Sequence, residues 1–487
     1  MKKSFIQLLL LGTLSLSAQN SARVNPFIGT SSMGHVFPGA VAPHGLVALS
    51  PDTDTIPHNV DGVYQKDSYR YCAGYQYDDP TIVGFSHTHF SGTGHSDLGD
   101  LLIMPTSGSL LLTPGTATNP EGGYRSRFTH ATEKAHPGYY AVTLDDYGID
   151  VELTATERVG AHRYTYPEQQ ARFILDLIHG IYNYDGKVLW ASVRVENPQL
   201  ITGYRITNGW ARENYQYFAI SLSQPIANYG YEEFEKVNYA GGWRKFDLKH
   251  NFPEIAGRKI RAYFEFDLPA SKQLEVRLAF SGVSTEGALK NLRAEAPMTV
   301  SFDQLAEATA QKWNGELNTI EAEGTNDQLA MLYTSLYHCK INPSVYQDVD
   351  GKYRGLDGNT HQADGFTNYT VFSLWDTYRA LHPLMNIIDR KRSTDFTRSM
   401  LAHREQSVHK ILPMWSHFAS ENWCMIGYHG VSVLSDALAK GIHLNTDQAI
   451  EAMVSSSTLP YFDKTAEYIK YGYVPFEDSP NGVSLTL

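Results

Sequence analysis

The hydrophobic period changes once along this chain, and that change constrains the fold more than any single motif. From about residue 22 to 283 apolar side chains recur at every second position, and after Glu286 they recur at helical spacing. Ile149, Val151, Leu153 and Ala155 alternate with Asp150, Glu152, Thr154 and Thr156. A turn at Asp146-Tyr147-Gly148 joins that run to Tyr139–Leu144, which predicts a β-hairpin. Further strand-like runs are Phe173–Ile178, Val188–Val195, Tyr217–Leu222, Ile260–Phe266 and Leu274–Phe280. Short strands between turns, with almost no helical window among them, predict an antiparallel β-sandwich. Beyond the switch, Leu329, Leu332, Leu336 and Cys339 share one helical face. Further helical windows fall at 305–317, 371–388, 393–409, 428–441, 446–456 and 464–471. Strands followed by helices, rather than alternating with them, predict an α+β chain of two segregated domains with a boundary near 284–302.

The first residues predict export. Lys2-Lys3, an apolar run over Ile6–Leu16 and the small residues Ser15, Ser17 and Ala18 have the layout of a signal peptide over 1–18. The expected destination is the periplasm or the exterior. The run is too short for a stable membrane anchor, and no later stretch reaches 18 apolar residues, so no transmembrane segment is expected. With 40 Lys and Arg against 52 Asp and Glu, the chain carries −12 and has no basic run, which demotes nucleic acid as a partner. Its 31 Tyr, 21 Phe and 7 Trp supply faces that suit sugar rings as well as core packing. Three widely spaced cysteines allow at most one disulfide and read as small buried hydrophobes. The chain's last residues, Val483–Leu487, read like the start of a new element, so the expectation is an incomplete helical domain.

Four segments concentrate residues able to do chemistry. Gly29–His35, continuing to Gly45, is rich in Gly and Pro and predicts a long shaped loop. No strand precedes it and no Lys-Ser/Thr follows, so it lacks the build of a phosphate loop. Gly84–Asp100 holds His87, His89, His95, Asp97 and Asp100. On a strand, His87 and His89 would share one face with α-carbons about 7 Å apart. Three readings stay open there: a metal site of nitrogen and oxygen ligands, zinc included; polar lining of a ligand cleft; or hydrogen-bonded structural histidines. In Phe372–Pro383, a helix would align Trp375, Tyr378, Arg379 and His382 on one face. Asp376 beside Trp375 pairs a carboxylate that accepts from a polyol with a face that stacks on its carbons. The alternative is an Asp376–Arg379 surface pair with Trp375 in the core. Leu412–Gly430 gathers Trp415, His417, Glu421, Asn422, Trp423 and His429 in a stretch of low helical order before a helix, where ligand-reading residues concentrate.

In this order and spacing the segments resemble glycoside hydrolase family 92, the exo-acting calcium-dependent α-mannosidases. The likeness is carried by Val24–Thr30, His35–Gly45, Gly84–Asp100, Phe372–Pro383 and Met425–His429, and it covers nearly all of the chain after the leader. It implies a β-sandwich over 19–284 docked on an (α/α)6 toroid of helical hairpins that starts at 285 and is incomplete at 487, with the active site in the crevice between them. It implies hydrolysis, with inversion, of terminal and in particular α-1,2-linked mannose from N-glycans or mannans. Inversion needs an acid to protonate the leaving oxygen and a carboxylate to activate water, about 6.5–9.5 Å apart. Calcium, a hard cation with oxygen ligands, is the implied cofactor, with its ligands unassigned. By position Trp375 and Asp376 match the sugar-holding pair of the mannose subsite, and Glu421, Asn422 and Trp423 match cleft residues. His87 and His89 complete the expected substrate contacts. No residue matches the family's acid and base, which belong to segments beyond the point matching Leu487, so this chain alone is expected to be nearly or wholly inactive. A non-catalytic carbohydrate-binding or surface-interaction protein is the alternative, and a zinc hydrolase centred on His87, His89 and Asp97 a third reading.

Overall fold

The computed structural model describes residues 20–54, 59–235, 251–462 and 464–475. The expected leader and the apolar ending at Val483–Leu487 lie outside the described residues. The predicted hairpin is present, with Tyr139–Leu144 antiparallel to Ile149–Ala155 and Val142 opposite Val151. Gly148 closes its turn at φ +61°, a conformation that a side chain would resist. Ile149, Val151 and Leu153 are buried as their alternation requires, and Asp150 is exposed.

Nine antiparallel strands make one sheet of the sandwich, in the spatial order Glu254–Gly257, Val188–Asn197, Leu200–Thr207, Asn214–Leu222, Gln273–Ser281, Val159–Thr165, Ile149–Ala155, Tyr139–Leu144 and Lys134–His136. A seven-stranded sheet faces it, in the order Ala40–Val41, Ala48–Asp52, Gly84–Ser86, Leu102–Thr106, Gln170–Asp176, Ile260–Asp267 and Asn228–Glu233. Between them lies one core, with Leu49, Phe85, Ile103, Phe173 and Phe264 from one sheet and Val151, Leu153, Phe218, Val276 and Leu278 from the other.

The helices follow. Helix α1 (Thr285–Glu295) and the start of α2 (Phe302–Leu317) cover the outer face of the nine-stranded sheet, where Ala288, Leu292, Phe302 and Leu305 pack on Val159, Ala161, Ala219 and Ala279. Helix α3 (Asn326–Cys339) opens on a capping box between Thr325 and Gln328, as α2 does between Ser301 and Gln304. Its Leu329, Tyr333, Leu336 and Tyr337 pack with Val24, Phe37, Val41 and Ala48 of the sandwich. Trp313 Nε1 donates to Val41 O at 2.7 Å across the same joint. The two domains are therefore fused through shared apolar packing.

Next come α4 (Leu374–Thr377), α5 (Leu381–Ile388), α6 (Arg390–Gln406), α7 (Gly430–Ala439), α8 (Thr446–Thr458) and α9 (Thr465–Tyr471). Met385, Phe396, Met400, Leu401, Val433 and Leu434 form a second core among them. The expected window 371–388 is broken: Phe372–Ser373 is a strand, α4 is a single turn, and the chain re-enters helix at Leu381. Pro383 supplies the reason, since it has no N–H and is tolerated only in a first turn, where it stands as the third residue of α5. The continuous face expected for Trp375, Tyr378, Arg379 and His382 does not form.

Candidate functional site

A small sheet brings together two segments that are forty residues apart. Its strands are Phe372–Ser373, Trp415–His417 and Ser420–Glu421, with Ser373 opposite Trp415 and Ser416 opposite Glu421. The first strand runs directly into α4, which lifts Trp375 and Asp376 to the surface, Trp375 being 37% exposed. A large indole left open to water beside a carboxylate is unusual for a structural role. Asp376 accepts a hydrogen bond from Ser373 Oγ. Arg379 is not its partner and instead lies over the Tyr378 ring at 5.0 Å.

Burial raises the Tyr69 phenol and the Cys424 thiol, and the Asp376 charge adds to both. Tyr69 meets His35 edge-on at 4.9 Å. A Cβ on Gly94 would fall 1.9 Å from the Tyr69 hydroxyl, so a side chain there would push the Tyr69 ring aside. Tyr69 carries no motif of its own. The one signal for it in the sequence is the tyrosine-dense run Tyr64, Tyr69, Tyr71, Tyr75 and Tyr77.

The loop 412–427 is held in costly backbone conformations. Phe418 (φ +42°), Ala419 (+60°), Trp423 (+57°) and Met425 (+70°) are all left-handed, as is the adjoining β-branched Val371 (+64°). Each costs of order 1–3 kcal/mol, and such residues cluster where a particular shape is needed. Glu421 offsets part of that cost. Its carboxylate accepts from Trp415 N at 2.8 Å, Met414 N at 3.0 Å and Trp423 N at 3.1 Å. Burial pushes this carboxyl up to about 7, opposed by those backbone N–H groups. A raised glutamate in a cleft is the signature of a general acid. Here, however, both oxygens are taken by backbone and the residue is only 9% exposed. We therefore give Glu421 no catalytic role; it shapes the loop. Asn422 Oδ1 accepts from Cys424 N at 3.0 Å and extends the same framework. Trp415 is buried and packs edge-on against Trp210 at 5.0 Å and Phe90 at 5.5 Å, so it is a wall of the joint. Trp423 stays partly open.

His87 and His89 lie elsewhere. The strand ends at Ser86, and the two rings enter different surroundings instead of sharing a face. His87 sits in the sandwich interior, where Nδ1 donates to Leu101 O at 2.7 Å and Nε2 meets His162 Nε2 at 3.0 Å. Tyr164 OH lies 2.7 Å from His162 Nδ1, which completes a chain of neutral groups. Burial lowers the His87 imidazole to about 3, in keeping with a neutral ring. His89 spans Ala48 O at 2.7 Å and Asp52 at 2.8 Å, and Asp52 also binds His179 at 2.7 Å. Asp97 is taken by Lys187 and by Trp210 N, and Asp100 by Thr88 and Arg205. These partners leave the two histidines out of reach of a ligand in the crevice and do not assemble a zinc centre. Among the described residues, no group of three or more His, Cys, Asp or Glu side chains could hold a metal ion. Cys72, Cys339 and Cys424 are free thiols, Cys72 buried and the other two partly so.

Trp375 and Asp376 are exposed on α4, Tyr69 is exposed on the sandwich, and Trp423 lines an open cleft to which both domains contribute. The glycosyl hydrolase family 92 N-terminal domain matches residues 23–281, and the glycosyl hydrolase family 92 catalytic domain matches residues 287–487. The chain belongs to glycosyl hydrolase family 92. A family GH92 α-mannosidase of Bacteroides thetaiotaomicron, solved in complex with mannoimidazole, is 40% identical, with a TM-score of 0.86 over 94% of this chain and 58% of its own. A family GH92 inverting mannosidase of the same organism is 28% identical, with a TM-score of 0.78 over 94% of this chain and 59% of its own. An uncharacterized secreted glycosidase of Arthroderma benhamiae is 24% identical over 73% of this chain and 45% of its own. The chain thus spans less than two thirds of each of these relatives.

Proposed function

We propose that this chain forms the mannose-holding half of an exo-acting α-mannosidase that removes terminal, α-1,2-linked mannose from N-glycans or mannans with inversion. The observation that carries the proposal is the exposed Trp375 beside the exposed Asp376 carboxylate on α4. Trp375 offers its face to the apolar carbons of a pyranose, and Asp376 accepts from two hydroxyls. In inverting hydrolysis, the oxygen of water bonds to the anomeric carbon as the glycosidic bond breaks. A carboxylate takes the water's proton while an acid protonates the departing oxygen. Glu421 is spent on backbone and Asp376 is read as a sugar acceptor, so neither is assigned as the acid or the base, and turnover by this chain alone is expected to be slow or absent. The ligands of the calcium that the family resemblance implies are unassigned. The leader at 1–18 and a secreted relative support export. No helix among the described residues is long and apolar enough to cross a membrane.

The same engagement of Glu421 supports a second reading, binding without hydrolysis. Incubation with α-1,2-mannobiose and calcium separates the two. Turnover at ordinary enzyme rates, abolished by chelation, would place catalytic carboxylates within these 487 residues and overturn the assignment made above. Calorimetric titration with mannose tests what both share: heat lost in Trp375→Ala supports them, and no heat at all removes both.

A further inference from the structure

Ser373 stands at the joint between the strand Phe372–Ser373 and α4, where it is the N-cap of the helix. A serine in that position ordinarily accepts from the backbone N–H of the second or third helical residue and so satisfies one of the helix's open donors. The chain uses that device in full at Ser301–Gln304 and Thr325–Gln328, which form reciprocal capping boxes. Ser373 departs from it, for its side chain makes no capping hydrogen bond. Its Oγ donates instead to the side chain of Asp376, the third residue of α4.

The two ends of that hydrogen bond differ in freedom. Ser373 is only 6% exposed, its backbone is in register with Trp415, and its carbonyl accepts from Thr377 Oγ1 at 2.9 Å. Asp376 is exposed, and among the described residues Ser373 is the one hydrogen-bond donor to its carboxylate. A buried, anchored hydroxyl therefore fixes a carboxylate that would otherwise turn in water. It takes up Oδ2 only, which leaves Oδ1 able to accept from a ligand. We infer that Ser373 is a positioning residue, whose hydroxyl forgoes the cap of α4 to hold the Asp376 carboxylate ready for the hydroxyls of mannose. The inference rests on the mannoside reading of Trp375 and Asp376 and deepens it, by naming what orients the acceptor. An aspartate free to sample three staggered χ1 wells would present the binding rotamer about a third of the time, so fixing it raises affinity about threefold or more.

The test is calorimetric titration of the full chain with mannose and with its monodeoxy analogues. One or two analogues are expected to bind the wild-type chain about tenfold more weakly than mannose, because they lack a hydroxyl that Asp376 holds. In Ser373→Ala mannose is expected to bind about threefold to tenfold more weakly, whereas those analogues stay within about twofold of their wild-type affinity, since they do not use the Asp376 contact. Ser373→Thr keeps the hydroxyl and is expected to regain most of the loss. Ser373→Ala that weakens mannose and every analogue alike, or weakens none, would overturn the positioning role and leave the mannoside reading standing. A Thr variant as weak as the Ala variant would overturn it too. No heat from mannose in the wild-type chain, or analogues that all bind it as mannose does, would overturn the reading of Asp376 and the inference together.

Discussion

Removing the Glu421 carboxylate should collapse the loop that carries Trp423 rather than erase one sugar contact. In Glu421→Ala the N–H groups of Met414, Trp415 and Trp423 lose the carboxylate that accepts from them at a site 9% exposed. Each orphaned donor costs about 1–3 kcal/mol, and water entering the space left behind returns part of that, so a loss of about 3–5 kcal/mol is expected. Glu421→Gln keeps one acceptor oxygen in place for Trp415 and Trp423 but turns an amide N–H towards Met414 N, for a smaller loss of about 1–3 kcal/mol. Urea unfolding followed by tryptophan fluorescence reads the stability, and mannose titration of the same samples reads the site. The expected order is wild type, Gln, Ala in both measurements. An Ala variant that unfolds at the wild-type midpoint yet loses mannose affinity would refute the reasoning, since that is the behaviour of a direct sugar ligand.

Trp375→Ala should abolish mannose binding yet cost no more than about 2 kcal/mol of stability, because more than a third of the residue is already exposed; a larger loss would show that it packs. Glu316 accepts from Arg392 at 2.7 Å and from Lys340 at 2.6 Å, tying α2 to α6 and to the chain after α3. Burial alone would raise its carboxyl, but Arg392 and Lys340 override that and hold it at about 2. Since the folded value lies below the ordinary 4.5, the stabilisation is present above pH 4.5 and is lost as the pH falls towards 2. About 2 kcal/mol, after allowance for solvent screening, should vanish across that window and be missing in Glu316→Gln; identical acid-unfolding curves for the two proteins would refute this. His87→Leu strands the Leu101 carbonyl and a His162 nitrogen, for a loss of about 2–4 kcal/mol with mannose affinity unchanged. Weaker mannose binding by a folded His87→Leu protein would return that residue to the cleft.

Legibility followed the reach of each signal. The hairpin 139–155 could be read directly because one of its faces is buried and the other wet, so period two appears in the letters. Ala48–Asp52 and Leu102–Thr106 were missed: every residue in them is buried, no alternation survives, and Pro51 and Pro105 look like breaks. Most helical windows could be read where an apolar stripe meets a core, but Thr285–Glu295, whose Ala288 and Leu292 pack on the sandwich, fell within the expected boundary 284–302 and was not read as a helix. The window 371–388 failed because Ser373 pairs with Trp415, a contact forty residues away that no local period announces. Of the candidate site residues, Trp375, Asp376 and Trp423 were marked by residue type, whereas Tyr69 was marked only by the tyrosine-dense run around it.

Local spacing and residue chemistry were enough to declare a strand-rich half followed by a helical half, and the strings that tie the chain to its family. Whether a polar side chain reads ligand or merely satisfies the interior was a separate matter, decided by distant partners. His162 and Leu101 claim His87, Asp52 claims His89, and three backbone amides claim Glu421, while Trp375 is left with its face to water. Periodicity is a property of neighbours in the chain, but a hydrogen-bond partner is a neighbour in space, and folding alone selects it.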